Sequence, residues 1–247
     1  LAVNLGMKSL DALHPSGEYR EQYAFFSLYN SLVEADKDFA PTPSLADSWV
    51  ISDDGKAVTI YLKRGVQFHD GTSFDAQSVK WFLDNIVLDD FGSRLKANFK
   101  PFIDKVDVVD QYTVTVHTVK PWRPLIGHAT LAWFRFPSPT AYLGYGSQRD
   151  GKLWLGPNDP YARNPVGTGP FMLEEWIPDS HLTLVKNPNY WEDGKPYLDK
   201  ITFENVPQKS SQLAAIRTGA AELVDDVFGP DIPVLEGSDN VKIIPYV

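Results

Sequence analysis

The chain opens on alternating apolar and polar positions over residues 1–5, the period-two signature of a strand with one buried face. A polar loop, "LDALHPSGEYRE", follows, and then the period changes. Phe25, Leu28, Tyr29 and Leu32 fall at i, i+3, i+4 and i+7 and predict a helix within Tyr23–Val33. The proline-rich run "DKDFAPTPSLADSW" ends that pattern and reads as a linker. Ser48–Lys63 predicts a hairpin, with "SWVIS" and "AVTIYLK" joined through the tight-turn dipeptide Asp54-Gly55. Asp75 then stands before a second helical stripe of Val79, Phe82, Leu83, Ile86 and Val87, so it predicts an N-cap for a helix over about 76–88.

Further hairpins follow. "DKVDVVDQYTVTVHT" turns near Asp110-Gln111, with Thr113, Thr115 and His117 on one face and Val114, Val116 and Thr118 on the other. From Pro121 to Asn164 no period is sustained, which predicts loops and short helices. "FMLEEW" and "HLTLVKN" form a hairpin across Pro178-Asp179-Ser180, and "LDKITFENV" is a strand. "SSQLAAIRTG" is a short helix capped by Ser210 or Ser211 and stopped by Gly219. "AELVDDV" and "VKIIPYV" read as two more strands. This order predicts a mixed sheet in an α/β or α+β chain.

Composition narrows the function. At 247 residues the chain can bury a full core, in one domain or two. A net charge of −9 argues against nucleic acid or an anionic membrane surface as partner, because either needs a basic field. With no cysteine, disulfides, thiolate metal sites and cysteine nucleophiles are excluded. No apolar run is long enough for a membrane helix and no signal peptide pattern is present. A start at Leu1, without an initiator Met, fits a processed or trimmed chain.

Catalytic motifs fail on spacing. "PVGTGPF" (165–171) carries two glycines, but a dinucleotide fingerprint needs a third at position 172, which is Met172. A P-loop needs Lys where Pro170 stands, and proline also removes an amide donor. The glycines instead prepare an unusual backbone before the "FMLEEW" strand. His14, His69, His117, His128 and His181 show no i,i+3 or i,i+4 pairing, so no metal site and no cofactor are signalled. "GYGSQRDG" misses the Gly-x-Ser-x-Gly frame, and no carboxylate pair stands out for glycoside hydrolysis, which remains the alternative from a different class. Trp122, Trp133, Phe134 and Phe136 crowd together with Arg123 and Arg135. They are either the lining of a ligand cleft or the filling of a core beneath irregular loops.

Several stretches, in order along nearly the whole chain, resemble one family. They are "LDALHP", "LYNSLVEAD", "PSLADSWVISDDGKAVTIYLKRGVQFHDGTSFDAQSVKW", "VGTGPFMLEEW", "LVKNPNYWEDGKPYLDKITF" and "AAIRTGAAEL". The chain is identified by them as a member of family 5 of the extracellular solute-binding proteins of ABC transporters. That family includes dipeptide-, oligopeptide- and nickel-binding proteins. The resemblance implies an α/β (mixed α+β) periplasmic-binding-protein-like lobe, class II, cluster C, with a mixed sheet and an inserted α+β subdomain. Residues 1–44 and 162–247 would build the first lobe, 45–161 the insert, and a second lobe would lie beyond Val247. The implied function is capture of peptides or similar small solutes, with hinge closure and no catalysis. Delivery would be to the transmembrane subunits of an ABC permease. The implied setting is periplasmic or extracellular, lipid-anchored or free, and the implied state is monomeric. Nickel-chelate or oligosaccharide binding are the alternatives within the fold.

For the ligand, the resemblance points by position to the loop after the first strand, Pro15, Ser16, Gly17, Glu18 and Tyr19. Its chemistry suits a peptide: backbone for strand-like pairing, Glu18 for a cation, Tyr19 for packing. "HATLAWFRFPSPTAY" is similar to the nickel binder's "LPRPFRF" stretch, but the arginine serving the metal chelate there aligns with Ala132, and Arg135 matches only the second arginine. Trp122, Trp133, Phe134 and Arg135 complete the candidate ligand-binding residues.

Overall fold

The computed structural model describes residues 1–13, 22–88, 94–126, 134–145, 147–149, 152–154, 160–225, 227, 229–238 and 240–244. In chain order the elements are β1 (Ala2–Val3), α1 (Gln22–Leu28), β2 (Val33–Ala35), β3 (Pro41–Pro43), β4 (Ala46–Ile51) and β5 (Ala57–Leu62). Then come α2 (Ala76–Phe82), continued by a π-helical turn over Leu83–Leu88, α3 (Arg94–Phe99), β6 (Ile103–Asp110) and β7 (Thr113–Thr118). After them run α4 (Pro139–Tyr145), β8 (Ser147–Arg149), β9 (Lys152–Trp154), β10 (Phe171–Ile177) and β11 (His181–Lys186). The last are β12 (Lys200–Asn205), α5 (Lys209–Thr218) and α6 (Ile232–Glu236).

Two four-stranded sheets organise these elements. One has the order β1-β12-β11-β10, with β1 parallel to β12 and the other pairs antiparallel. The other, β4-β5-β7-β6, is antiparallel throughout. The first sheet therefore joins the chain's start to residues 171–205, while the second is continuous in sequence. Each sheet has its own apolar cluster. Val3, Leu5, Phe25, Leu28, Phe171, Leu184 and Phe203 pack on the first sheet. Ile60, Phe74, Phe82, Val116, Phe134 and Phe136 centre the second cluster, which also takes in Leu13, Leu32 and Val33.

Local chemistry explains the elements that the pattern predicts. At the β4–β5 turn Gly55 has φ 68°, and the Asp54 carboxylate accepts from the Lys56 amide and the Ser52 hydroxyl. Asp75 caps α2: its carboxylate accepts from the Gln77 and Ser78 amides, and the Ser78 hydroxyl accepts from the Asp75 amide. In β7 Val114, Val116 and Thr118 are buried while Thr115 and His117 are half-buried, as the alternation requires, but Thr113 is buried as well.

Three expectations need correction. Helix α5 starts at Lys209, so its N-cap is Gln208, which makes no side-chain capping bond, and Ser210 and Ser211 fall inside the first turn. "AELVDDV" forms no strand; Val224 makes a single parallel bridge to Ala2. Residues 241–244 are also not a strand. A run becomes a strand only where a neighbour takes up its backbone groups along its length; among the described residues "AELVDDV" meets β1 only at Val224, where the Ala2 amide donates to the Leu223 carbonyl, and no strand pairs with residues 241–244.

The "PVGTGPF" stretch is where the chain leaves the unit built on β4–β7 and enters β10. Its glycines serve close approach. A Cβ on Gly167 would lie 2.1 Å from the Leu28 carbonyl oxygen and 2.5 Å from Tyr29 Cδ1. One on Gly169 would lie 2.4 Å from Leu28 C and 2.4 Å from the Ser27 oxygen. The Gly169 amide donates to the Leu28 carbonyl at 3.0 Å. The crossing is thus pressed against the carboxyl end of α1 at distances that admit only hydrogen at Cα.

Candidate functional site

Residues 15–19 lie outside the described residues, but both shoulders of their loop are described. On the leading side Asp11, 1% exposed, accepts from the Leu13 amide at 2.9 Å and from the Tyr142 hydroxyl at 3.1 Å. The Tyr29 hydroxyl donates to the Leu10 carbonyl at 2.9 Å, and the Leu10 amide donates to the Ala162 carbonyl. Tyr29, Tyr142 and Tyr161 are all fully buried here, with the Tyr142 and Tyr161 rings 4.5 Å apart. Burial, with the Asp11 charge adding to it, pushes the Tyr29 and Tyr161 hydroxyls above the usual phenol range, so both stay neutral donors. On the trailing side α1 begins at Gln22. The described chain therefore breaks off at a buried polar knot at Leu13 and resumes in a packed helix at Gln22.

Beside α1 lies a charged pair. Arg135, 6% exposed, donates to Glu34 Oε1 at 3.0 Å, and its guanidinium sits 4.3 Å over the Phe26 ring. The same Glu34 oxygen accepts from the Ser31 hydroxyl at 2.8 Å. Burial lowers the Arg135 pKa and the Glu34 carboxylate works against that. The Glu34 side chain is 36% exposed and Phe26 is 54% exposed, so a carboxylate edge and an aromatic face open together to solvent. Such a surface can take a cation at the carboxylate and an apolar group on the ring.

The candidates named from sequence do not form one lining. Phe134 is fully buried, with ring centroids 5.4 Å from Phe82 and 4.9 Å from Phe99, so its ring is core filling and offers no ligand surface. Phe136 is core too, 4.6 Å from Phe82. Trp122 stacks on Phe102 at 4.6 Å, and its amide donates to the Gly55 carbonyl at the β4–β5 turn. Trp133 lies outside the described residues, as do Pro15, Ser16, Gly17, Glu18 and Tyr19. Of the candidate side chains that the structure describes, Arg135 alone stands beside an exposed polar group near α1. Sequence reasoning missed Glu34 and Phe26. Phe26 had a signal, since it is an aromatic off the apolar stripe of α1. Glu34 had none, because its partner is 101 residues away.

Among the described residues no group of three or more His, Cys, Asp or Glu side chains could hold a metal ion, and no helix is long and apolar enough to cross a membrane.

Comparison with known proteins places this geometry. The glutathione-binding protein GsiB of Pectobacterium atrosepticum is 31% identical over 245 residues, 99% of this chain and 45% of that protein. A structure of the periplasmic binding protein DppA from Helicobacter pylori in complex with peptide STSA matches with TM-score 0.81 and 27% identity, over 97% of this chain and 48% of that one. AgaA of A. tumefaciens R10, in complex with agropinic acid, matches with TM-score 0.80 and 26% identity, over 96% of this chain and 46% of that one. The chain thus spans about half the length of these relatives, and over that span its mixed α/β periplasmic-binding-protein-like fold matches theirs. The model described as "Bacterial extracellular solute-binding proteins, family 5 Middle" matches residues 40–246. With that match over most of its length, the chain belongs to family 5 of the bacterial extracellular solute-binding proteins, a family that binds solutes rather than turning them over.

Proposed function

We propose that this chain is part of the substrate-binding component of an ABC importer, and that it captures a short peptide outside the cytoplasmic membrane for a permease. Residues 1–44 and 162–247 act as the first lobe and 45–161 as a subdomain inserted in it. The separate apolar clusters under the two sheets support two units, with Leu13, Leu32 and Val33 of the first segment packing into the cluster of the insert. The observation that carries the ligand class is that the ligands of the relatives at 31% and 27% identity, glutathione and peptide STSA, are both peptides, while agropinic acid, bound by AgaA at 26%, is not. The loop 15–19 supplies main-chain pairing and the Glu18 carboxylate. The Glu34 and Phe26 edge beside α1 supplies a second anionic and aromatic contact. In a clamp of two lobes the remaining contacts come from the other half of the protein, which closes by hinge motion. The working unit is a monomer, periplasmic or extracellular.

Calorimetry on the full-length protein tests this, with glutathione, a Ser-Thr-Ser-Ala tetrapeptide, a nickel–histidine complex and a maltooligosaccharide as titrants. Saturable binding of a peptide at about −8 kcal/mol or better, the micromolar level, is the expected result. A Glu18→Gln variant should lose roughly tenfold or more, the scale of one hydrogen bond to a charged group. Saturable binding of the metal chelate or the sugar, with none for either peptide, overturns the ligand class.

A further inference from the structure

His69 lies on the tight loop between β5 and α2, held by the Phe68 amide donating to Thr72 and the Gly71 amide donating to Phe68. From there it engages the Gly167–Gly169 crossing through three hydrogen bonds. Its own amide donates to the Gly167 carbonyl at 2.9 Å. The Gly167 amide donates to His69 Nδ1 at 3.3 Å, and His69 Nε2 contacts the Gly169 carbonyl at 3.0 Å. An amide can only donate and a carbonyl can only accept, so Nδ1 is bare and Nε2 carries the proton. One neutral tautomer satisfies both contacts, and the imidazolium cannot, since a proton on Nδ1 would face the Gly167 N–H.

The segment that His69 grips holds other parts in place. The Gly169 amide bonds to Leu28, and the Asn187 side chain donates to the Gly169 carbonyl at 3.0 Å. The Thr168 hydroxyl donates to Asn30 Oδ1 at 3.2 Å, and Trp191 Nε1 donates to the same oxygen. The imidazole is therefore a tie between the β4–β7 unit and a buried polar node that fixes the end of α1.

We propose that His69 is a proton-operated latch: neutral, it fastens the Gly167–Gly169 crossing to the loop between β5 and α2, and protonated, it releases that crossing from the end of α1.

The groups facing the latch leave it free to titrate in this sense. Among the described residues, Asp70, on the same loop, is the one charged residue lining the shallow groove beside it. Tyr145 of α4, Asn164, Pro165 and Val166 of the crossing, and Met172 and Leu173 of β10 are uncharged. Tyr29, against Gly167, has its hydroxyl turned to the Leu10 carbonyl. Burial holds the His69 pKa down, to about 4 from an ordinary 6.5, against smaller opposing effects of the Gly169 carbonyl and Asp70. A folded value below the unfolded one means the latch is fully closed above about 6.5 and weakens as pH falls toward 4.

Amide exchange resolved by NMR tests the latch at pH 7.5 and pH 5.0, with each rate corrected for its intrinsic value. With an opened-state pKa of 6.5 and a closed-state pKa of about 4, the opening constant at Gly167 and Gly169 should rise about 30-fold between those pH values. At pH 5.0 it should exceed that of Val116, in the middle of β7, by about tenfold or more. His69→Gln keeps a donor for Gly169 but does not titrate, and should abolish most of the rise. The same rise in His69→Gln, or Gly169 and Val116 opening with one common constant, overturns the latch. Should the variant not fold, the nitrogen-15 spectrum of the wild-type imidazole decides. An Nε2–H tautomer titrating near 4 supports the latch, and titration near 6.5 overturns it.

Discussion

Gly169→Ala is the sharpest test of the packing that joins the two units. The added methyl would stand 2.4 Å from Leu28 C and from the Ser27 oxygen, and 2.7 Å from the Leu28 oxygen. All three are main-chain atoms at the end of a packed helix, so no side chain can rotate out of the way. The crossing or the end of α1 must shift by about 1 Å to reach ordinary contact distances, at an overpacking cost of about 1–3 kcal/mol. That shift also breaks the 3.0 Å bond from the Gly169 amide to Leu28, for about 1 kcal/mol more. A loss of about 2–4 kcal/mol is a large part of the 5–15 kcal/mol typical of a domain. It should lower the melting temperature by roughly 4–16 °C in a chain of this size. Urea unfolding followed by tryptophan fluorescence reads the loss as a lower midpoint at unchanged slope. Gly144→Ala is the matched control: nothing lies within 4 Å of its Cβ position inside α4, so it should be neutral or stabilise by about 0.5–1 kcal/mol. If Gly169→Ala unfolds within about 0.5 kcal/mol of wild type, the measurement resolution expected for neutral surface changes, the close approach does not hold the crossing in place.

Other substitutions separate core from surface. Phe134→Ala should cost about 3–5 kcal/mol by urea unfolding, because the ring is wholly inside the aromatic cluster with Phe82 and Phe99. A loss below about 1 kcal/mol would return Phe134 to the candidate ligand surface. Asp75→Ala removes the carboxylate that accepts from the Gln77 and Ser78 amides, leaves the main-chain bond to the Ser78 hydroxyl, and should cost about 0.5–2 kcal/mol, readable in the same assay. At the charged pair, Glu34→Ala should destabilise more than Arg135→Met. The first strands a buried guanidinium, while the second leaves a carboxylate that is 36% exposed. The reverse order in urea midpoints would mean that Arg135 contributes chiefly through its stacking on Phe26. For binding, the 247-residue chain alone should hold peptide at least about 100-fold more weakly than the full-length protein, because one lobe supplies only part of the contacts. Submicromolar calorimetric binding by the chain alone would make the other half dispensable.

The sequence by itself determined the local elements. Period-two and period-3.6 stripes located the hairpins and α2, Asp54-Gly55 and Asp75 carried their own turn and cap chemistry, and Gly219 stopped α5 in the left-handed conformation. Burial within one element and bonds spanning three or four residues leave a periodic trace, so they can be read from a single chain. Ordered stretches along the chain also disclosed its family. Tertiary structure decided what depends on residues far apart in sequence. Phe134 and Arg135 are neighbours, yet one fills the core and the other pairs with Glu34, because the chain there runs between the core and the surface. "AELVDDV" reads as a strand by composition, yet Val224 has one bridge only, since a segment's own residues cannot provide a neighbour. The glycines of "PVGTGPF" suggested an unusual backbone, yet neither Gly167 nor Gly169 has a positive φ; that they make room for the end of α1, and that His69 ties them down from about a hundred residues away, follows only from the packing. Contacts of that range leave no periodic mark, because which distant residue arrives is settled by how the two units dock and not by either segment's own pattern.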